Sequence, residues 1–228
     1  MQEVVFSGHQ PNFIPYMGFF YKMFKSDIFV LDDDVQYSCT ELQNSNFIKV
    51  NGQAHRITVP VHYHFGDPIN RVEIDYNKGW REKLLKTLRM NYGKAPYFDL
   101  GYQLMEKHLM ETPYLLNNLN VGLLKDIATG FDLKCKILIA SEDVPTPMKN
   151  NARNIFQCTQ LGGTVYYSGV GGRAYNDEAE YADAGIQIVY SDYKPVQYKQ
   201  GKGGFIPNLS VLDYIFYNGF SLPEDWRK

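Results

Sequence analysis

Apolar positions come first at strand spacing, then at helical spacing. Val4, Val5 and Phe6 open a short buried strand over residues 3–9. From Pro15 to Lys25, Tyr16, Phe19, Phe20, Met23 and Phe24 recur at helical spacing. Pro15 suits a first helical turn, where its missing N–H costs nothing. Asp27–Leu31 (DIFVL) is a second buried strand, ending in Asp32-Asp33-Asp34. Strand, helix and strand so closely spaced predict a parallel βαβ unit with a right-handed crossover.

The middle of the chain changes character. Asn46–Val50 and His55–Val61 flank Asn51-Gly52, a strong hairpin signal. Arg71–Asp75 alternates like a strand. Three helical stretches follow, Trp80–Tyr92, Phe98–Met110 and Tyr114–Thr129, separated by Gly93-Lys94-Ala95-Pro96 and Thr112-Pro113. The last third returns to alternation. It holds a strand at Cys135–Ala140, a helix at Asn150–Leu161 ended by Gly162-Gly163, and a strand at Thr164–Ser168. A helix at Ala174–Ala184, a strand at Ile186–Tyr190 and a helix at Ser210–Tyr217 complete it. Ser210 with Asp213 reads as a capping box.

Strand–helix alternation at both ends predicts one α/β domain over residues 1–228. Its fold is a three-layer Rossmann-like, mainly parallel sheet, with a hairpin and helical block inserted at about 45–130. Ligands of such sheets bind beyond the carboxyl ends of the strands. That rule selects residues 8–14, 32–36 and 168–173.

Composition narrows the function classes. The 228 residues carry a net charge of -2 with mixed signs, which argues against a nucleic-acid or membrane surface driven by charge. No apolar run is long enough to span a bilayer, and residues 1–20 lack the features of a secretory signal. Cys39, Cys135 and Cys158 lie far apart with no metal-binding spacing. They read as buried free thiols of a reducing cytoplasm. Eighteen tyrosines make an aromatic-rich chain, which suits a carbohydrate or nucleotide pocket and equally a Tyr-rich core.

Three polar turns are candidates for chemistry. His9, Gln10 and Asn12 close the first strand. His9 is the candidate acid/base, while Gln10 and Asn12 have donors and acceptors to orient a substrate, or to cap the following helix. Asp33 and Gln36 follow the second strand. There a carboxylate can bind sugar hydroxyls, act as a base or hold Mg²⁺, or can simply be a solvated turn. Ser168, Gly169, Gly171, Gly172, Arg173 and Tyr175 form a strand, Gly-rich turn and helix. Such a turn can hold an anion on its N–H groups, with Arg173 as a fork, although the spacing is neither Walker A nor GxGxxG. His62 and His64 share a strand face without a third metal ligand. Gly203-Gly204 precede Asn208 and the last helix, a glycine run able to close over a site.

Several stretches together resemble a known family. They are His9-Gln10-Pro11-Asn12 with Tyr16-Met17-Gly18-Phe19-Phe20; Ser26 to Gln36; Asn44 to Lys49 with Thr58-Val59-Pro60-Val61; Trp80-Arg81-Glu82-Lys83; Ala95-Pro96-Tyr97-Phe98; Tyr167-Ser168-Gly169 with Gly171 to Tyr175; and Phe205 to Asp213. In this order they resemble the WbqC-like protein family over about residues 5–220. The resemblance implies a bacterial cytoplasmic protein of surface-polysaccharide (O-antigen type) synthesis. Its expected substrate is a nucleotide-linked sugar or an acyl donor, and its expected reaction adds an acyl or amino-acid group to an amino sugar. A non-catalytic nucleotide-sugar scaffold is the alternative. The opening also resembles HUP-type nucleotidyltransferases, but Ile14-Pro15-Tyr16-Met17 stands where their His-x-Gly-His motif belongs.

Overall fold

The computed structural model describes residues 3–77 and 79–227. The chain forms two compact units. The first comprises Met1–Gln10, Phe19–Asp34 and Leu133–Lys194; the second comprises Pro11–Gly18, Val35–Asp132 and Pro195–Lys228.

The first unit is built on a five-stranded parallel sheet. Its strands are β1 (Val5–His9), β2 (Ile28–Leu31), β7 (Lys136–Ile139), β8 (Val165–Ser168) and β9 (Gln187–Tyr190), in the order β7-β2-β1-β8-β9. Each neighbouring pair is parallel. The expected α/β, Rossmann-like sheet is therefore present. Strand periodicity explains the layers, because alternate residues point to opposite faces. Phe6, Ile28 and Val30 pack with Cys158, Tyr166, Tyr181 and Ile186 in one apolar cluster. That cluster joins the sheet to α6 (Asn150–Gln160) and α7 (Glu178–Asp183). On the other face, Phe29 meets Phe19 of α1 (Met17–Phe24) at 5.3 Å between ring centroids.

The second unit holds the antiparallel hairpin β3 (Ser45–Val50) and β4 (Gln53–Thr58) and the helices α2 (Trp80–Tyr92), α3 (Phe98–Met110), α4 (Leu116–Gly130) and α8 (Val211–Asn218). Asn51 (φ +51°) and Gly52 (φ +81°) make the expected hairpin turn, whose two central residues both need positive φ. A short pair, β5 (Val61–His62) with β6 (Glu73–Ile74), stands where a longer strand at Arg71–Asp75 is expected. Ile69–Arg71 coils into a 3₁₀ turn instead, which leaves only two residues to pair.

Three other expectations need correction. The helix expected at Ala174–Ala184 is two elements, a 3₁₀ turn over Val170–Ala174 and α7. Asp177 divides them, because its side chain accepts the Ala179 N–H and starts a new helix. Ser210 does cap α8, accepting the Leu212 N–H, but Asp213 does not complete a capping box. Its carboxylate instead accepts the hydroxyls of Tyr92 and Tyr198, both at 2.7 Å. Of the cysteines, Cys158 is buried, Cys135 half-buried and Cys39 exposed; all three are free.

Side-chain amides organise the 11–15 segment of the second unit. Asn46 donates to the carbonyls of Phe13 and Ile14, Asn120 to that of Pro11, and the Ser210 hydroxyl to that of Ile14. Ile14 is fully buried with φ +37°, a conformation that costs a β-branched residue roughly 1–3 kcal/mol. Ser210 thus both caps a helix and holds a strained carbonyl. Ser210→Ala is expected to destabilise the chain by about 1–3 kcal/mol, read as a lowered urea midpoint at unchanged slope.

Candidate active site at the carboxyl edge of the parallel sheet

The strand order places the site. From β1 the chain moves outward through β2 to β7, then crosses to β8 on the other side of β1. The direction of winding reverses between β1 and β8, and such a reversal opens a crevice beyond the strand ends. His9 ends β1, Asp32 to Asp34 follow β2, and Ser168 ends β8.

His9 is oriented by its own loop. Its Nδ1 lies 3.0 Å from the Gln10 carbonyl oxygen. A carbonyl only accepts, so Nδ1 carries the proton and Nε2 keeps its lone pair. The ring also meets the edge of Phe19, at 4.9 Å between centroids. Burial, with the nearby Lys22 charge, lowers the His9 pKa to about 4. The imidazole is therefore neutral at pH 7.

Lys22, on α1, has its own unusual setting. It is buried, and its Nζ donates to the Gly8 carbonyl at 2.7 Å. Burial lowers its pKa to about 8, against the opposing pull of Asp32.

Asp33 parts from its two neighbours. Asp32 is buried, and one of its oxygens accepts from Arg153 Nε at 3.0 Å and Gln157 Nε2 at 3.1 Å. Burial raises its pKa, while Arg153 and Gln157 hold it down. Arg153 and Gln157 stand one helical turn apart on α6, so both reach the same carboxylate. The far side of the Arg153 guanidinium binds Asp34. Asp33 turns to Ser141, accepting its N–H at 3.0 Å and its hydroxyl at 2.7 Å. Arg153 thus takes up Asp32 and Asp34 together while Asp33 faces Ser141, an arrangement that does not fit Mg²⁺. Among the described residues no group of three His, Cys, Asp or Glu side chains is placed to hold a metal. Gly8 makes the Asp32 position possible: a Cβ there would lie 2.9 Å from the Asp32 carboxylate.

The loop after β8 is tighter than its sequence implies. The Gly172 N–H donates to the Gly169 carbonyl, and the Tyr175 and Asn176 N–H groups return to that of Gly172. No helix begins at Ala174, so no helix N-terminus faces an anion there. Asn176 Nδ2 donates to the Ser168 hydroxyl at 3.0 Å. Arg173 stacks over the Tyr190 ring at 4.2 Å, and Tyr175 is exposed. A Cβ added at Gly169 or Gly171 would meet open space.

Thus His9, Gln10, Asp33 and the Ser168–Tyr175 turn share one unit, with Gln10 contributing its carbonyl oxygen to His9. Asn12, Gln36 and Asn208 belong to the second unit. There Asn12 is buried, while Gln36 and Asn208 are exposed. Lys22, Arg153 and Gln157 escaped the sequence reading. Their one signal was a basic or amide residue on the sheet-facing side of an amphipathic helix.

Two comparisons with known proteins follow this geometry. Residues 10–224 match the WbqC-like protein family. The chain belongs to that family. It is also 32% identical, over 222 residues, to the uncharacterized protein Rv1507c of Mycobacterium tuberculosis, covering 96% of this chain and 95% of the relative. The family match takes in residues of both units of this WbqC-like protein. No helix among its described residues is long and apolar enough to cross a membrane.

The His9 environment makes two measurable statements. Its native pKa lies below the ordinary 6.5. Between about 6.5 and about 4 the unfolded chain therefore binds more protons, and stability falls as pH falls through that window. Wild type should lose stability relative to His9→Gln as pH falls from about 6.5 to about 4, read from urea midpoints of the two proteins. Lys22→Met should raise the His9 pKa, because a like charge is removed. Proton NMR titration of the ring reads the shift, and a fall or no change contradicts the assignment.

Proposed function

We propose that this WbqC-like protein is a transferase that places an acyl or amino-acid group on an activated amino sugar during surface-polysaccharide synthesis. The resemblance to the WbqC-like family suggests the surface-polysaccharide setting. The observation that carries the chemistry is His9, a neutral imidazole with its Nδ1 proton committed to Gln10 and its Nε2 lone pair available.

Acyl transfer to an amine needs such a group. The sugar amine attacks the acyl carbonyl, and the N–C bond forms as the carbonyl π electrons move to oxygen. The nitrogen becomes cationic and strongly acidic. His9 Nε2 takes that proton, and the tetrahedral intermediate collapses as the bond to the leaving group breaks. An imidazole with a pKa near 4 is a weak base, so it holds that proton only in passing. The resulting imidazolium is a strong acid and returns its proton to the leaving group. Burial first, and then the charge of Lys22 behind Gly8, keep the resting imidazole neutral.

The open space beside Gly169 and Gly171 suits the sugar or its anionic carrier. Asp33 holds Ser141 and so supports the loop rather than the substrate. The carboxylates held by Arg153 and Ser141, with the absent His-x-Gly-His pattern, disfavour nucleotidyl transfer.

The test combines a thermal-shift screen of nucleotide sugars and acyl donors with mass-spectrometric detection of acylated product. Wild type should form product, and His9→Gln should keep its melting temperature while kcat falls about 10²–10⁴-fold. Full activity in a folded His9→Gln protein overturns the catalytic role. A nucleotide sugar that binds but stays unchanged with every donor makes the protein a binding module instead.

A further inference from the structure

The second unit carries a cavity that the transferase reading does not use. Its volume is about 640 Å³. This lies within the roughly 300–1,000 Å³ of small-molecule sites. Lys49, Arg89, Lys94 and Lys202 line it with Tyr92 and Tyr217, and none of its lining residues is Asp or Glu. The four cations come from β3, the end of α2, the turn after α2 and the 200–204 run. Folding gathers them; no local charge run does. Gln200, Gly201 and Lys202, just before Gly203-Gly204, complete the cavity's lining within the same unit.

Lys49 is the decisive member. It is buried, and its Nζ donates to the carbonyls of Gln200 at 2.9 Å and Gly204 at 2.6 Å. Two carbonyls solvate an ammonium but do not neutralise it, and an ammonium has a third N–H to give. Asp213 feels the Lys49 charge, yet its oxygens accept from the Tyr92 and Tyr198 hydroxyls. Arg89 is likewise held by a neutral partner. Its Nη2 donates to the Tyr102 hydroxyl at 2.9 Å and its guanidinium lies 4.8 Å over that ring. Lys94 and Lys202 are exposed. Among the described residues no carboxylate lies within ion-pair distance of any of the four.

A concave wall with several cations and no counter-charge concentrates anions. We propose that this cavity binds an organic diphosphate, its charged group on Lys49, Arg89, Lys94 and Lys202 and its body along Tyr92 and Tyr217. Several cations match a ligand with several negative charges. The volume exceeds what a bare phosphate fills, and the tyrosines supply an apolar wall for the remainder. Lys49 and Arg89 are pre-positioned by carbonyl and phenol partners, so little side-chain entropy is lost when the ligand enters.

Calorimetric titration of the full chain tests this, with uridine 5′-diphosphate, adenosine 5′-diphosphate and inorganic pyrophosphate as probes at low and high salt. A nucleoside diphosphate should bind more tightly than pyrophosphate and more weakly as salt rises. The double variant Lys94→Glu/Lys202→Glu should weaken binding by about tenfold or more at an unchanged melting temperature. These exposed positions avoid the folding risk of a change at Lys49. His9→Gln should bind as wild type does, which separates this cavity from the transferase site. Absence of binding at millimolar probe overturns the proposal. So does undiminished binding in the double variant, or binding lost in His9→Gln instead. Equal affinity for pyrophosphate and the nucleoside diphosphates overturns the assignment of an organic ligand.

Discussion

A buried carboxylate orders the first unit. Asp32 lies beyond the end of β2, out of water, with Arg153 and Gln157 of α6 on one oxygen. Removing one partner of such a pair typically costs about 3–5 kcal/mol, because an uncompensated charge stays buried. A well-packed apolar replacement of the whole pair is often neutral or stabilising. Stability alone therefore does not explain a charge here. Its position does: Asp32 sits over Gly8, one residue before His9, and its field keeps buried Lys22 from losing its proton more readily. Lys22 in turn depresses His9. One carboxylate thus ties α6 to the sheet and favours the charged form of Lys22 beside the neighbouring strand end, where burial is the larger influence.

The second unit relies on neutral donors instead. Asn46, Asn120 and Ser210 satisfy the carbonyls of a buried segment that contains a strained isoleucine. Buried carbonyls need partners, and amides provide them without the desolvation cost of a charge. Tyr92 extends the same logic, donating to Asp213 while accepting the Lys49 N–H. Much of the high tyrosine content is structural in this way. Tyr166 stacks on Tyr181 at 5.2 Å inside the apolar cluster, and Tyr21 donates to Asp192.

Local patterns carried much of the fold. The helices at 80–92, 98–110 and 150–160 and the Asn51-Gly52 hairpin follow from periodicity and turn chemistry, which act over a few residues. The break between the Val170–Ala174 turn and α7 was not legible, because Asp177 can extend or restart a helix depending on its backbone. Asp213 misled for a related reason: its position three residues after Ser210 suggests a cap, but two distant tyrosines offer better donors. Lys22 and Arg153 were missed because a basic residue on a helix normally marks its wet face. Here each is buried by a partner about 14 or 121 residues away in sequence.

By itself the sequence determined the parallel α/β class, the identity of the strand ends that meet at the sheet edge, and the family, since ordered motifs and short-range periodicity survive without coordinates. The tertiary structure alone decided the strand order β7-β2-β1-β8-β9, and with it which loops flank the crevice. It also decided that Asp32 and Asp34 share Arg153 while Asp33 turns to Ser141, that His9 rests neutral, and that four cations far apart in sequence line one cavity. Burial and charge compensation depend on long-range contacts, and nothing local in the chain encodes them.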